Sequence, residues 1–192
     1  MNPATAVVAD IVRTIVPFDE LERQHIAETL AWLGSTDDVF RRAKPDVPPR
    51  HLVSYVVLVD PRACAVFLGR HLLADLWLPT GGHLSPGEHP LDAAGREATE
   101  ELGIRPEFTV TGIEPLFLTV TTTVGTHSGH EDVSLWYLIR GDRSREYALD
   151  PGEFSEGRWW DIGTSAIPDA DPHFPRFLVK LESTLRAAGT GK

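Results

Sequence analysis

The sequence predicts an α/β sandwich, on three observations. β-branched and aromatic runs recur at residues 51–60, 64–69, 132–140 and 157–162. A well-delimited amphipathic helix sits among them at 90–102, and a second helix closes the chain at 172–188. Strands that flank and outnumber a central helix, with another helix after them, bury their apolar faces by stacking helix on sheet. With 192 residues, 42% of them hydrophobic and 24% charged, the chain can bury one full core and carry a modest extension.

The extension comes first. Val8, Ile11, Val12 and Ile15 fall on one helical face, Pro17 and Asp19 mark a break and a restart, and Leu21, Ile26, Leu30 and Leu33 support a second helix. A third short helical segment is expected over Asp37–Ala43. Residues 1–44 are too short to hold a core of their own, so they read as a helical extension to a main domain at 45–192. Lys44–Arg50, with three prolines, is the connector. The apolar stripe of the extension must be covered by the main domain or by a second copy. The expectation is a homodimer to which residues 1–44 contribute.

His51–Asp60 is the first strand, and Pro61-Arg62 turns it into a second at Cys64–Gly69. Cys64, the only cysteine, lies in an apolar run without a basic neighbour, which predicts a buried, inert thiol. One cysteine allows no intrachain disulfide and fits a reducing cytoplasm. Beyond the central helix, Thr109–Val124 is expected to form one long or two short strands. A polar loop at Gly125–Glu131 then leads into the strand Asp132–Arg140. Gly157–Ile162 is the last strand and Pro172–Ala188 the closing helix.

The central stretch carries the chemistry. Pro90 suits the first helical position, Asp92 meets the positive helix end, and Gly103 is a natural left-handed cap. Leu91, Ala94, Ala98 and Leu102 form an apolar stripe, and Glu97, Glu100 and Glu101 converge to one side of it. Acidic helix faces are commonly just solvated. Three carboxylates packed into one arc repel one another, however, and a hard divalent cation between them relieves the repulsion.

The spacing around these acids decides between the two. Gly82, five residues, Glu88, seven residues, Arg96-Glu97, two residues, Glu100-Glu101, one residue, Gly103: this resembles the signature box of the Nudix hydrolases, the MutT-like pyrophosphohydrolases. All seven polar and glycine positions are filled. Ala98 is smaller than the usual branched aliphatic, and Thr80 stands where relatives often carry a different residue before the paired glycines.

The resemblance implies a mixed sheet between helices, with the box as a loop–helix–loop. It also implies attack of water on a pyrophosphate bond, with Mg²⁺ or Mn²⁺ as cofactor. By resemblance, Glu97 and Glu101 are the principal metal ligands, and Glu100 is a ligand or the base. Gly81 is a ligand through its carbonyl, and Glu88 with Arg96 is a pair that orients Glu97. Outside the box, His83, Glu131 and Glu156 are candidates for substrate binding. Asp132 and Glu153 are further candidate acids, with His127 and His130 nearby. Trp77, Trp136, Trp159 and Trp160 divide between base stacking and core.

Composition narrows the partners. A net charge of −10 and a pI near 5.2 leave no basic footprint for a long nucleic acid. No run approaches the length of a membrane span, and Val7–Val16 is interrupted by Asp10 and Arg13, which argues against a signal peptide. The expected partner is a small nucleotide-type diphosphate. A non-catalytic Nudix-fold metabolite sensor is the alternative. The intact carboxylates and a non-basic extension argue against it. A Nudix-fold isoprenoid isomerase would need a catalytic cysteine in a setting that Cys64 lacks.

Overall fold

The computed structural model describes residues 2–43, 47–123, 129–163 and 167–189. Its elements run α1 (Pro3–Thr14), α2 (Glu20–Ser35), β1 (Arg50–Asp60), β2 (Ala65–His71), β3 (Leu76–Leu78), β4 (Thr80–His83), α3 (Pro90–Leu102), β5 (Phe117–Thr122), β6 (Glu131–Arg140), β7 (Phe154–Asp161) and α4 (Phe174–Gly189). The strand order is β3-β2-β1-β6-β5, with β4 also pairing β1 and β7 pairing β2. β1 and β6 are parallel, from Arg50↔Glu131 to Val59↔Arg140, and the other pairings are antiparallel. The sheet is therefore mixed, as expected.

Strand alternation sorts the core into two layers. Leu52, Val56 and Leu58 of β1 join Val133, Leu135 and Tyr137 of β6 against α1 and the apolar stripe of α3. Val57 and Val59 join Trp136 and Leu138 against Phe174, Phe177 and Leu181 of α4. Val8 and Val12 of α1 and its C-cap Ile15 are buried in the first layer, together with Leu33. At about 1.5–3 kcal/mol for each fully buried side chain, that contact docks α1 on its own chain. Of the stripe that motivated a homodimer, Val8, Val12, Ile15 and Leu33 are thus covered from within, Ile11, Ile26 and Leu30 are half-buried, and Leu21 is exposed.

The second helix departs from its predicted face. Leu21 is exposed, whereas Glu22, His25 and Thr29 are buried beside Leu33. The reason is the sheet edge that α2 covers. Glu22 accepts from the backbone N–H of Leu118 at 3.3 Å, and His25 Nδ1 from that of Val120 at 3.3 Å, both on β5. Glu22 also accepts from Lys180 of α4 at 2.8 and 3.0 Å, and from Phe18 N–H at 2.6 Å. Asp19, the N-cap of α2, is held by Arg176, which pulls its carboxyl down to about 2.

Three local expectations also fail. Asp37–Ala43 contains no helix. Val39 and Phe40 are buried and the Val39 carbonyl accepts from Leu52 N–H at 3.0 Å, so the segment is held beside β1. Thr109–Leu116 is not a strand, because Gly112 (φ 97°) and Pro115 interrupt it, and pairing starts at Phe117. Cys64 is exposed, since it closes the β1–β2 turn at φ 48° instead of lying within β2.

Candidate active site

Two glycines and one helix build the acidic site. α3 starts at Pro90, with His89 Nδ1 accepting from Leu91 N–H at 3.2 Å, and ends at Gly103 in the left-handed region at φ 63°. Its inner face packs Ala93, Ala94 and Ala98 on the sheet, and Ser54 of β1 donates to the Pro90 carbonyl at 2.8 Å. Small residues bring the helix close, so Ala98 in place of a larger aliphatic is accommodated. Gly81 has φ 146°, and a Cβ there would overlap the Ser54 carbonyl and Tyr55 Cα. A Cβ on Gly82 would overlap the Glu97 carboxylate. Both glycines are what allow the acids to reach β4.

The three glutamates do not share one environment. The Glu97 side chain is 10% exposed and that of Glu100 is 59% exposed. Glu101 is buried and accepts from Gly81 N–H at 2.9 Å. Burial pushes the Glu97 carboxyl up even though Arg96 Nη1 lies 2.6 Å from it. Burial also pushes Glu101 up, against the Gly81 N–H, and the neighbouring Glu97 and Glu153 add to the effect. Glu153, from the loop before β7, comes within hydrogen-bonding reach of Glu101, and Asp150 N–H donates to the Glu101 carbonyl at 2.9 Å.

Arg96 is the hub of the box. It reaches Glu88 at 2.9 and 3.1 Å, Glu97 at 2.6 Å, Glu100 at 3.2 Å and the His83 carbonyl at 3.1 Å. Burial alone would raise the Glu88 carboxyl. The Arg96 guanidinium and the Ser85 N–H, 2.8 Å away, hold it below its ordinary value. The predicted Glu88–Arg96 pair is therefore present, and it ties the loop to the helix.

The remaining candidates separate. Glu131 is engaged by Arg50 at 2.8 Å, and Glu156 is exposed on β7. His83 turns to the opposite face of β4 from Glu97, beside His51, His130 and Asp132. His127 lies outside the described residues. Trp136 is core, with Nε1 donating to Thr119 at 3.0 Å, and Trp77 is buried. Trp159 and Trp160 are half-buried, and Arg158 lies 4.6 Å over the Trp160 ring.

Sequence reasoning missed Arg41, Tyr55 and Asp171. Half-buried Arg41 follows α2, and the negative charges that act on it are Asp132, Glu97 and Glu153. Among the described residues, no hydrogen bond or ion pair holds its guanidinium. Burial pushes the Tyr55 phenol up, with Asp171, Asp132 and Glu101 adding to it, and pushes Asp171 up to about 6. An arginine six residues past a helix gives no periodic signal, and neither does a tyrosine within an apolar strand.

The set of donors suits a hard divalent cation. Glu97 and Glu101 are buried acids with raised pKa values, and a cation would stabilise their charged forms. The absence of a Cβ on Gly82 makes the space that the Glu97 carboxylate fills, and Glu100 lies beside it on Arg96 at 3.2 Å.

A mixed sheet between helices, with a loop–helix that buries two carboxylates against a glycine pair, defines the class. The NUDIX domain model matches residues 49–180. The chain belongs to the Nudix hydrolase family, a family of pyrophosphohydrolases. Its fold is similar to that of a NUDIX-family hydrolase from Clostridium perfringens, 22% identical, over 72% of this chain and 98% of that one, with a TM-score of 0.51. It is also similar to a MutT NUDIX hydrolase from Burkholderia pseudomallei, 24% identical, over 68% of this chain and 95% of that one, with a TM-score of 0.50. No curated protein matches the chain.

Proposed function

We propose that the chain hydrolyses a pyrophosphate bond in a nucleoside triphosphate, or in a nucleoside diphosphate linked to another group, with Mg²⁺ or Mn²⁺ as cofactor. The observation that carries this reading is the pair of buried carboxylates, Glu97 and Glu101, set against Gly81 and Gly82. When bound, a divalent cation neutralises the diphosphate and makes water more acidic. Glu97, Glu100, Glu101 and the Gly81 carbonyl are the groups that would hold it.

The chain's own residues do the rest. Arg96 fixes Glu97 and, through the His83 carbonyl, the turn out of β4. Glu153 or Glu100 takes the proton of the attacking water, since each is a carboxylate beside Glu101 or Glu97. Arg41 offers its charge to a substrate phosphate in a protein that otherwise repels one. In this reading residues 45–192 form the catalytic domain and residues 1–44 extend it. No described helix is long and apolar enough to cross a membrane, and the reading places the enzyme in the cytoplasm.

The test is a panel of nucleoside triphosphates and nucleoside diphosphate conjugates, read by released phosphate or pyrophosphate. Turnover should require Mg²⁺ or Mn²⁺, stop in EDTA and return when the cation is restored. Full turnover in chelator would sink the metal-dependent reading.

A further inference from the structure

On the face of β4 away from Glu97, four side chains converge without any member of the glutamate set. His51 and Asp132 are register partners on parallel β1 and β6, His83 is opposite Val53, and His130 immediately precedes β6. Asp132 Oδ1 is 3.1 Å from His51 Nε2 and 3.6 Å from both His83 Nε2 and His130 Nε2. One ligating atom from each of the four lies within 4.8 Å of the others. His51 and His130 are buried and Asp132 is 15% exposed.

Hydrogen bonds leave part of this geometry unexplained. His51 Nε2, His83 Nε2 and Asp132 Oδ1 are buried without a hydrogen-bond partner, which is costly for groups removed from water. His51 Nδ1 faces the Pro48 carbonyl at 2.8 Å, and a carbonyl only accepts, so that nitrogen carries the proton. Thr123 donates its hydroxyl to the His130 carbonyl at 3.2 Å, which leaves the same oxygen to accept from His130 Nδ1 at 3.1 Å. In the neutral rings both Nε2 atoms then present bare lone pairs toward a carboxylate oxygen. Lone pairs facing a carboxylate repel it unless a proton or a metal cation lies between them. Imidazoles whose Nδ1–H is held by an oxygen are the usual form of metal-ligating histidines.

We propose that His51, His83, His130 and Asp132 bind a transition-metal cation, Zn²⁺ by preference, at a site separate from the glutamates. Three imidazoles and one carboxylate select Zn²⁺ and its neighbours over Mg²⁺. Bonds of about 2.0–2.1 Å in a tetrahedron place donor atoms about 3.3–3.4 Å apart; the distances from Asp132 to the three imidazoles, 3.1 and 3.6 Å, bracket that value, and all four donors lie within 4.8 Å of one another. Four protein donors close the coordination sphere, so the ion is structural. It pins β4 to β1 and β6 at the strand ends, beside the turn whose carbonyl holds Arg96. The site does not depend on the proposed hydrolysis, and its test reads no activity.

The full-length chain is stripped with chelator and titrated with Zn²⁺ against a chromophoric competitor in excess Mg²⁺, which blocks the glutamates. One tightly held equivalent per chain is expected, and Co²⁺ should give the visible bands of a tetrahedral nitrogen-rich site. His51→Gln or Asp132→Asn should weaken uptake about 10–100-fold or more, while Glu101→Gln leaves it unchanged. X-ray absorption on the unsubstituted zinc protein should show imidazole scattering, a readout independent of how the variants fold. No retained zinc, an oxygen-only shell, or zinc lost with Glu101→Gln and kept with His51→Gln would each overturn the proposal.

Discussion

Strand β4 has two sides, and they have been built in different ways. On one, Gly82 opens a space for Glu97, and all three box glutamates come from a single turn and a half of α3. On the other, His83 meets residues drawn from 51 to 132 in the chain, brought together by the parallel pairing of β1 with β6. The first side gathers carboxylate oxygen, and the second gathers imidazole nitrogen around one carboxylate. Local helical spacing is enough for the first, whereas the second exists only once the register is set. His83 belongs to both sides, its ring to one and its carbonyl, which accepts from Arg96, to the other.

The largest break in this comparison should come from the carboxylate side alone. Glu101→Gln keeps the shape of the side chain but removes its charge. The rate of hydrolysis should fall about 10³-fold, the scale of groups that act on transition-state charge. Circular dichroism and thermal melting should show an intact fold. A variant with near-normal turnover would remove Glu101 from the chemistry.

Arg96→Ala sharpens the contrast, because Arg96 touches the acids and the strand together. It should cost roughly 10–100-fold in rate, as expected of a residue that orients others. If it proves more damaging than Glu101→Gln, Arg96 contacts the substrate directly.

The smallest effect concerns a histidine pair that serves as a control. His25 and His173 lie edge to face at 5.3 Å, with Arg176 Nη1 3.1 Å from His173 Nδ1. Here Arg176 supplies the positive charge that the proposed ion would supply in the other cluster. Burial, with His25 and Arg176 adding to it, pulls His173 down to about 4, below its ordinary 6.5. The unfolded chain therefore binds the extra proton first, and stability should decline as pH falls from about 6.5 toward 4. His173→Gln should flatten that part of the curve of melting temperature against pH. An unchanged slope would assign the acid sensitivity elsewhere.

These contrasts also explain what the sequence could disclose. Pro90, Gly103 and the acids between them act within one helix, so caps, stripe and candidate ligands all follow from spacing. The strands at 51–60 and 132–140 stand out by composition, but not that His51 would sit opposite Asp132. The face of α2 is not legible from periodicity, which follows apolar residues, because this helix turns Glu22 and His25 to a sheet edge. Cys64 looked like strand because its neighbours are apolar, while the turn that exposes it was set by the pairing of Asp60 with Ala65. Arg41 gave no sign at all, since its meaning lies in the acids that surround it in space.

The contact of Glu22 and His25 with β5 has one more consequence. An open strand edge invites another chain to add to the sheet, and here side chains from residues 20–35 occupy the backbone N–H groups of Leu118 and Val120. The extension thus covers part of the edge at which such an addition would start. A chain cut before residue 47 would leave that border bare, with Lys180 stranded beneath it without Glu22. Any association of such a fragment would be strand adding to strand at the exposed rim.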